Sequence, residues 1–132
     1  MNSFGAQIAK FAEKTKTDID VVVRTVTLNV GASLIQQSPV LTGRFRANWM
    51  IGLGSPDETT TEDTDANAST GRIAQAVGTA KAGGIIYLTN SLPYANRLEL
   101  GWSKQAPAGF VAATADTWRQ YLNDAVYSVK TA

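Results

Sequence analysis

The sequence contains no cysteine and no histidine among its 132 residues. Their absence removes disulfides, thiolate nucleophiles, Ser-His and Cys-His dyads, and zinc sites built from Cys and His. Most side-chain chemistry near neutral pH goes with them, so the chain is not expected to be an enzyme, and no catalytic, metal or cofactor-binding residue is assigned. Also missing are an apolar run of about 18 residues and a basic segment leading into an apolar block. A soluble protein made in the cytoplasm, with no membrane partner, is therefore expected. Charge of one sign is lacking overall: 12 Lys and Arg face 11 Asp and Glu, a formal +1. That balance is unlike the footprint of a chain that wraps nucleic acid or lies on anionic lipid.

Proline is also scarce, with none between Asn2 and Gln37. Across that stretch Phe4, Ile8, Phe11, Thr15, Ile19, Val22, Val26, Val30 and Ser33 or Leu34 recur at steps of three and four, one apolar stripe of a helix. At about 1.5 Å per residue such a helix is roughly 50 Å long. Asn2 or Ser3 caps its start and Pro39 ends it at Ser38. A helix this long exceeds what one domain of this size needs for its own core, so part of the stripe is expected to face another subunit.

After a turn at Ser38 to Gly43, alternation of Phe45, Ala47, Trp49, Ile51 and Leu53 with Arg44, Arg46, Asn48 and Met50 predicts a strand. Residues 55–69 hold Asp57, Glu58, Glu62, Asp63 and Asp65 among 4 threonines, with no Lys or Arg between Arg46 and Arg72. Low hydrophobicity and one-sign charge predict a flexible acidic loop inserted within a single domain, 1–132. A short helix capped by Thr70, a second strand from Ile85 to Asn90, a short helix from Tyr94 to Leu100 stopped by Gly101, a loop from Trp102 to Gly109, and a last amphipathic helix from Phe110 or Val111 complete the chain. The fold class that follows is α+β: a small antiparallel or mixed sheet packed by a long N-terminal and a C-terminal helix, with short helices between.

Little of the candidate chemistry survives weighing. Asp63, Asp65, Asn67 and Ser69 alternate as calcium-loop ligands do, but Ala68 and Ala74 stand where the glycine and the bidentate glutamate belong. Gly52-Leu53-Gly54 lacks a third glycine and a following helix, so it is no phosphate cradle. Arg44, Arg46, Arg72 and Arg97 are candidates for a basic patch, serving either DNA phosphate or the acids of a neighbouring subunit. Near-neutral net charge favours the ion pairs. Trp102, in a loop, is an interface candidate.

Two stretches carry a resemblance. Ser38-Pro39-Val40-Leu41-Thr42-Gly43-Arg44-Phe45-Arg46-Ala47-Asn48-Trp49, and later Tyr87-Leu88-Thr89-Asn90 with Pro93-Tyr94-Ala95-Asn96-Arg97-Leu98-Glu99-Leu100-Gly101, in that order between two long helices, resemble the HK97 gp10-like group of tailed-phage neck and tail-completion proteins. The group's Pro-Phe-x-x-Pro-Ala stretch is represented here by Gly109-Phe110-Val111-Ala112-Ala113, which keeps the Phe and loses both prolines. The resemblance implies a structural bacteriophage virion protein: a homo-oligomeric ring, a hexamer, at the head-proximal end of the tail. Such a ring completes the tail and joins it to the head connector, with tail-tube and neck proteins as partners and DNA passing without specific binding. Alternatives are a minor capsid or head-completion subunit at the portal and a small DNA-binding adaptor. The interface residues expected are Arg44, Arg46, Trp49, Arg72, Arg97, Glu99, Trp102 and Phe110. Asp57, Glu58, Glu62, Asp63 and Asp65 are expected to line a lumen or order on assembly.

Overall fold

The computed structural model describes residues 3–40, 42–102, 105 and 109–131, with the side chains of Phe11 and Trp102 outside that description. Helix α1 spans Phe4–Gln37, and its start is capped by Ser3, whose Oγ accepts from the Ala6 amide at 3.2 Å. The β-branched run from Val21 to Val30 stays helical because its half-buried face packs against the rest of the chain. At the other end Ser38 leaves the helical region, and its amide and hydroxyl both turn back to α1 carbonyls.

Helix α2 (Arg44–Ala47) follows at once, entered through Gly43 at φ 90°. A Cβ at Gly43 would lie 2.1 Å from the Thr64 carbonyl oxygen, so only glycine fits this turn. The strand expected to begin at Phe45 is thus corrected: β1 is Met50–Leu53 only. The misread alternation has a physical origin. Phe45 and Trp49 are four apart, so period two and one helical turn both bring them to one side.

The acidic segment leads into α3 (Ala66–Val77), which starts four residues before the expected cap at Thr70. Asp65 caps it, accepting from the Asn67 amide at 2.9 Å. Strand β2 (Ile86–Thr89) pairs antiparallel with β1, Met50 opposite Thr89 and Leu53 opposite Ile86. A short α4 (Ala95–Arg97) runs into a π-type turn, Leu98–Trp102, that reverses at Gly101. Helix α5 (Val111–Thr131) closes the fold, packed on α1. The architecture is α+β: a two-stranded antiparallel sheet whose β1 packs on α3, with α3 and α5 packed in turn on the long α1, so the helix on the sheet is α3 and not either of the two long ones expected there.

One cluster forms the core: Leu34, Ile35, Phe45, Trp49, Ile73, Val77, Leu92, Leu98 and Phe110. At its centre Phe45 meets Trp49, Tyr94 and Phe110 with ring centroids 6.2, 6.0 and 5.2 Å apart, and Trp49 meets Phe110 edge-on at 5.8 Å. Trp49 and Phe110, expected at an interface, are 3% and 2% exposed and belong to the interior of this chain.

Candidate functional site

The two motif stretches fold into one knot around the Phe45 ring. The Ser38 hydroxyl donates to the Leu34 carbonyl and accepts from Trp49 Nε1 at 2.9 Å, fixing the indole on the end of α1. Arg46 lies back over the same end, donating from Nε to the Ser38 carbonyl at 2.8 Å and from a terminal nitrogen to the Gln36 carbonyl at 2.9 Å. A cation there complements the carbonyl end of a helix. Arg72 donates to the Trp49 and Ala47 carbonyls at 2.7 and 3.0 Å and to Ser69 Oγ at 3.2 Å. Three of the four arginines expected to form an outward basic patch therefore bind inside the chain, since Arg44 also donates from Nε to the Thr61 carbonyl at 3.0 Å. Their carbonyl partners are the unpaired backbone groups left where helices end and turns begin. Arg97 is exposed at the end of α4.

Glu99 is likewise turned inward. Its carboxylate accepts from the amides of Phe110, Val111 and Ala112 at 2.9, 2.8 and 3.0 Å, occupying the positive end of α5. Gly109, at φ 85°, makes room: a Cβ there would sit 2.5 Å from Glu99 Oε1 and 2.7 Å from the Glu99 carbonyl oxygen. The lost prolines of the resemblance matter little to this junction, because Glu99 supplies the cap from a distance in sequence. The Trp102 side chain and most of the loop up to Gly109 lie outside the described residues.

The acidic segment is strapped to the body rather than hanging free. Asn48, fully buried, pairs its amide with the Thr61 backbone, accepting at 2.9 Å and donating at 3.0 Å, and donates to the Arg44 carbonyl at 2.7 Å. The Thr89 hydroxyl donates to the Asp57 carbonyl, and Arg44 meets Glu62 at 3.1 Å. Within the strap the Thr59 hydroxyl and amide donate to Asp57 at 2.6 and 3.0 Å and hold its carboxyl below the usual carboxylate range. Asp63 accepts from the Asp65 amide at 3.0 Å. Glu58 and Glu62 remain exposed. Sequence reasoning missed Ser38, Asn48 and Ser69 as the polar hubs of the fold. Their only signal was small polar residues beside a helix stop and an aromatic. Among the described residues no buried side-chain polar atom lacks a partner, so the knot is a closed network with no group left aimed at a ligand.

What is left open is apolar surface. The first half of α1 carries Phe4, 79% exposed, and Ile8, 52% exposed. Further along, α1 and α5 frame a groove of about 550 Å³ lined by Thr15, Ile19, Val22, Val23, Leu122, Val126 and Val129. A second groove of about 380 Å³ lies between Leu34, Ile86, Leu88 and Trp118. No described helix is long and apolar enough to cross a membrane. No family model, curated protein or solved structure gives a significant match to this chain.

Proposed function

We propose that this chain is a structural subunit of a tailed-bacteriophage virion that assembles as a ring at the head-proximal end of the tail, completing the tail and joining it to the head connector. The observation that carries the reading is the meeting of the two resemblance motifs. Phe45 of the first packs on Tyr94 of the second, and Glu99 of the second caps the helix whose Phe110 packs on Phe45. Two stretches matched independently in sequence thus make one structural unit, which supports a shared architecture over two chance matches. In this reading the work is interface burial, carried by the open apolar stripe of α1 and the α1/α5 groove. Tail-tube and connector proteins are the partners, and the outward acids of the strap face the DNA path, where negative charge keeps the duplex from sticking. The DNA-binding alternative is weakened because Arg44, Arg46 and Arg72 are held on the chain's own carbonyls.

The test is genetic and visual. Phage lacking this gene should accumulate filled heads and unjoined tails in lysates, and antibody label on complete virions should fall at the neck. Normally joined virions made without the protein would end the proposal.

A further inference from the structure

We infer that the free edge of β2 is a binding site for one extended strand of another protein, with branched apolar side chains at alternate positions, which joins the sheet as its third strand. The ladder defines that edge. The Gly54 amide donates to the Ile85 carbonyl at 2.8 Å, and in the same register Gly52 faces Tyr87 and Met50 faces Thr89. Bonded and non-bonded pairs alternate along an antiparallel ladder, so Tyr87 and Thr89 direct their backbone groups at β1, while Ile86 and Leu88 direct theirs away from it. Two amides and two carbonyls thus stand at the spacing of a strand, and among the described residues nothing bonds to them there.

This edge also lacks the devices that keep strand edges unpaired. From Ile85 to Thr89 there is no charge, proline or glycine, and Ile85 is 64% exposed. Helix α3 packs on β1, whereas β2 has β1 as its one substantial neighbour among the elements. On the face to which Ile86 and Leu88 point, their side chains share a groove of about 380 Å³ with Val111, Ala115 and Trp118 of α5. No β1 residue lines that groove, so it lies on the open side of the sheet, and Val111 and Trp118 are 47% and 40% exposed. A strand laid against β2 pairs its backbone with Ile86 and Leu88. Its residues opposite those two drop their side chains into the groove and onto Trp118, which is why they should be apolar and branched.

The chain's own strands cannot fill the place. Both are in the sheet already, and the other long extended segment, the acidic strap, is held by Asn48 and carries carboxylates that an apolar groove rejects. Pairing β2 with the β2 of a second copy about a two-fold axis keeps both α5 helices on the same face of the joined sheet. Each would meet the junction where the groove has room for a few side chains and not for a helix. A single strand from a different protein meets neither obstacle. The inference goes beyond the ring reading and does not depend on it.

The experiment titrates the full chain with the peptide acetyl-Lys-Thr-Val-Thr-Val-Thr-Lys-amide at millimolar concentration, followed by NMR. Shifts should centre on residues 85–89 and the Trp118 indole, and the amides of Ile86 and Leu88 should become protected from exchange. The same peptide N-methylated at both valines keeps every side chain but cannot donate to the Ile86 and Leu88 carbonyls, and it should bind at least tenfold more weakly. Trp118→Ser, at the open side of the groove, should weaken the parent peptide to a similar degree with an unchanged unfolding midpoint. Absence of binding, equal binding of the methylated peptide, or shifts centred away from β2 would each overturn the inference. Those outcomes leave the proposed function standing if the protein is still found at the neck. Peptide pairing on β2 of a protein absent from virions would support the inference and end that proposal.

Discussion

Replacing Glu99 with alanine removes the acceptor for three consecutive amides at the start of α5, those of Phe110, Val111 and Ala112. The three losses are unequal. Val111 and Ala112 are exposed and their amides can turn to water, whereas Phe110 is 2% exposed and its amide loses the Glu99 acceptor in a part-buried setting. Leaving one such donor unpaired costs about 1 to 3 kcal/mol. Removing a negative charge from the positive end of a helix adds about 0.3 to 1 kcal/mol. The sum is about 1 to 4 kcal/mol, or roughly 5 to 15 °C in Tm for a domain of this size. Glu99→Gln keeps an acceptor and loses the charge, so it should cost about 1 kcal/mol. Gly109→Ala should be at least as damaging as Glu99→Ala, because the new methyl meets both the carboxylate and the Glu99 carbonyl from a left-handed backbone. In the Glu99→Ala background that cost should shrink without vanishing, since the carbonyl clash remains. Urea unfolding followed by circular dichroism measures all four variants, and amide exchange at residues 110–112 locates the effect. A loss under 0.5 kcal/mol for Glu99→Ala, or unchanged exchange at Phe110, would refute the cap.

Other consequences are as direct. Ser38→Ala strands the buried Trp49 Nε1–H and should cost about 2 kcal/mol, with a shift in tryptophan emission; an unchanged midpoint would deny that bond. Asn48→Ala removes three hydrogen bonds to the backbone and should cost about 2 to 4 kcal/mol. It should also open residues 55–65 to limited proteolysis, and equal cleavage rates in both proteins would count against the strap. Asp57 titrates below its ordinary value of 3.8 because of Thr59, so its contribution to stability is complete above that pH. The contribution is lost as pH falls through the lower folded value. NMR titration should show Thr59→Val moving Asp57 back up, and a native Asp57 titrating at or above the ordinary value would contradict the turn. Glu58→Lys/Glu62→Lys should leave stability within about 0.5 kcal/mol while creating salt-sensitive duplex binding absent from the wild type. Equal binding by the wild type would remove the non-stick role of the strap.

The long helices were legible because their apolar spacing persists over many turns, and no local preference of the Val21 to Val30 run outweighs that much packing. Strand β2 was legible within a residue at each end. The segment from Arg44 to Trp49 was not, because a single helical turn and a short strand make the same demand on Phe45 and Trp49, and the deciding contact is Gly43 against Thr64, far along the chain. The start of α3 was hidden by composition: a threonine-rich acidic stretch suggests solvation, yet Asp65 is a cap and the fully buried Ser69 donates to the Arg46 carbonyl at 2.8 Å. Arg46, Arg72 and Glu99 were misplaced for one reason. A charged side chain read alone looks outward, whereas each of these satisfies helix-end or turn backbone groups that exist only once the elements have packed.

That common cause bears on what the resemblance can transmit. Ser38, Gly43, Phe45, Trp49 and Glu99 contribute to one closed network, so selection for the fold alone is enough to keep them together. A match at those positions therefore speaks first for architecture and only then for a role in a virion. The exposed residues to which the proposal gives a role, Phe4 and Ile8 at the start of α1 and Glu58 and Glu62 on the strap, lie outside both motifs. They also separate by chemistry, exposed apolar residues at one end of α1 and an acidic strap held near its other end by Asn48 and Arg44. A subunit with unlike surfaces at opposite ends is suited to meeting different neighbours on its two sides, which a ring joining two dissimilar structures demands and a lone globular adaptor does not.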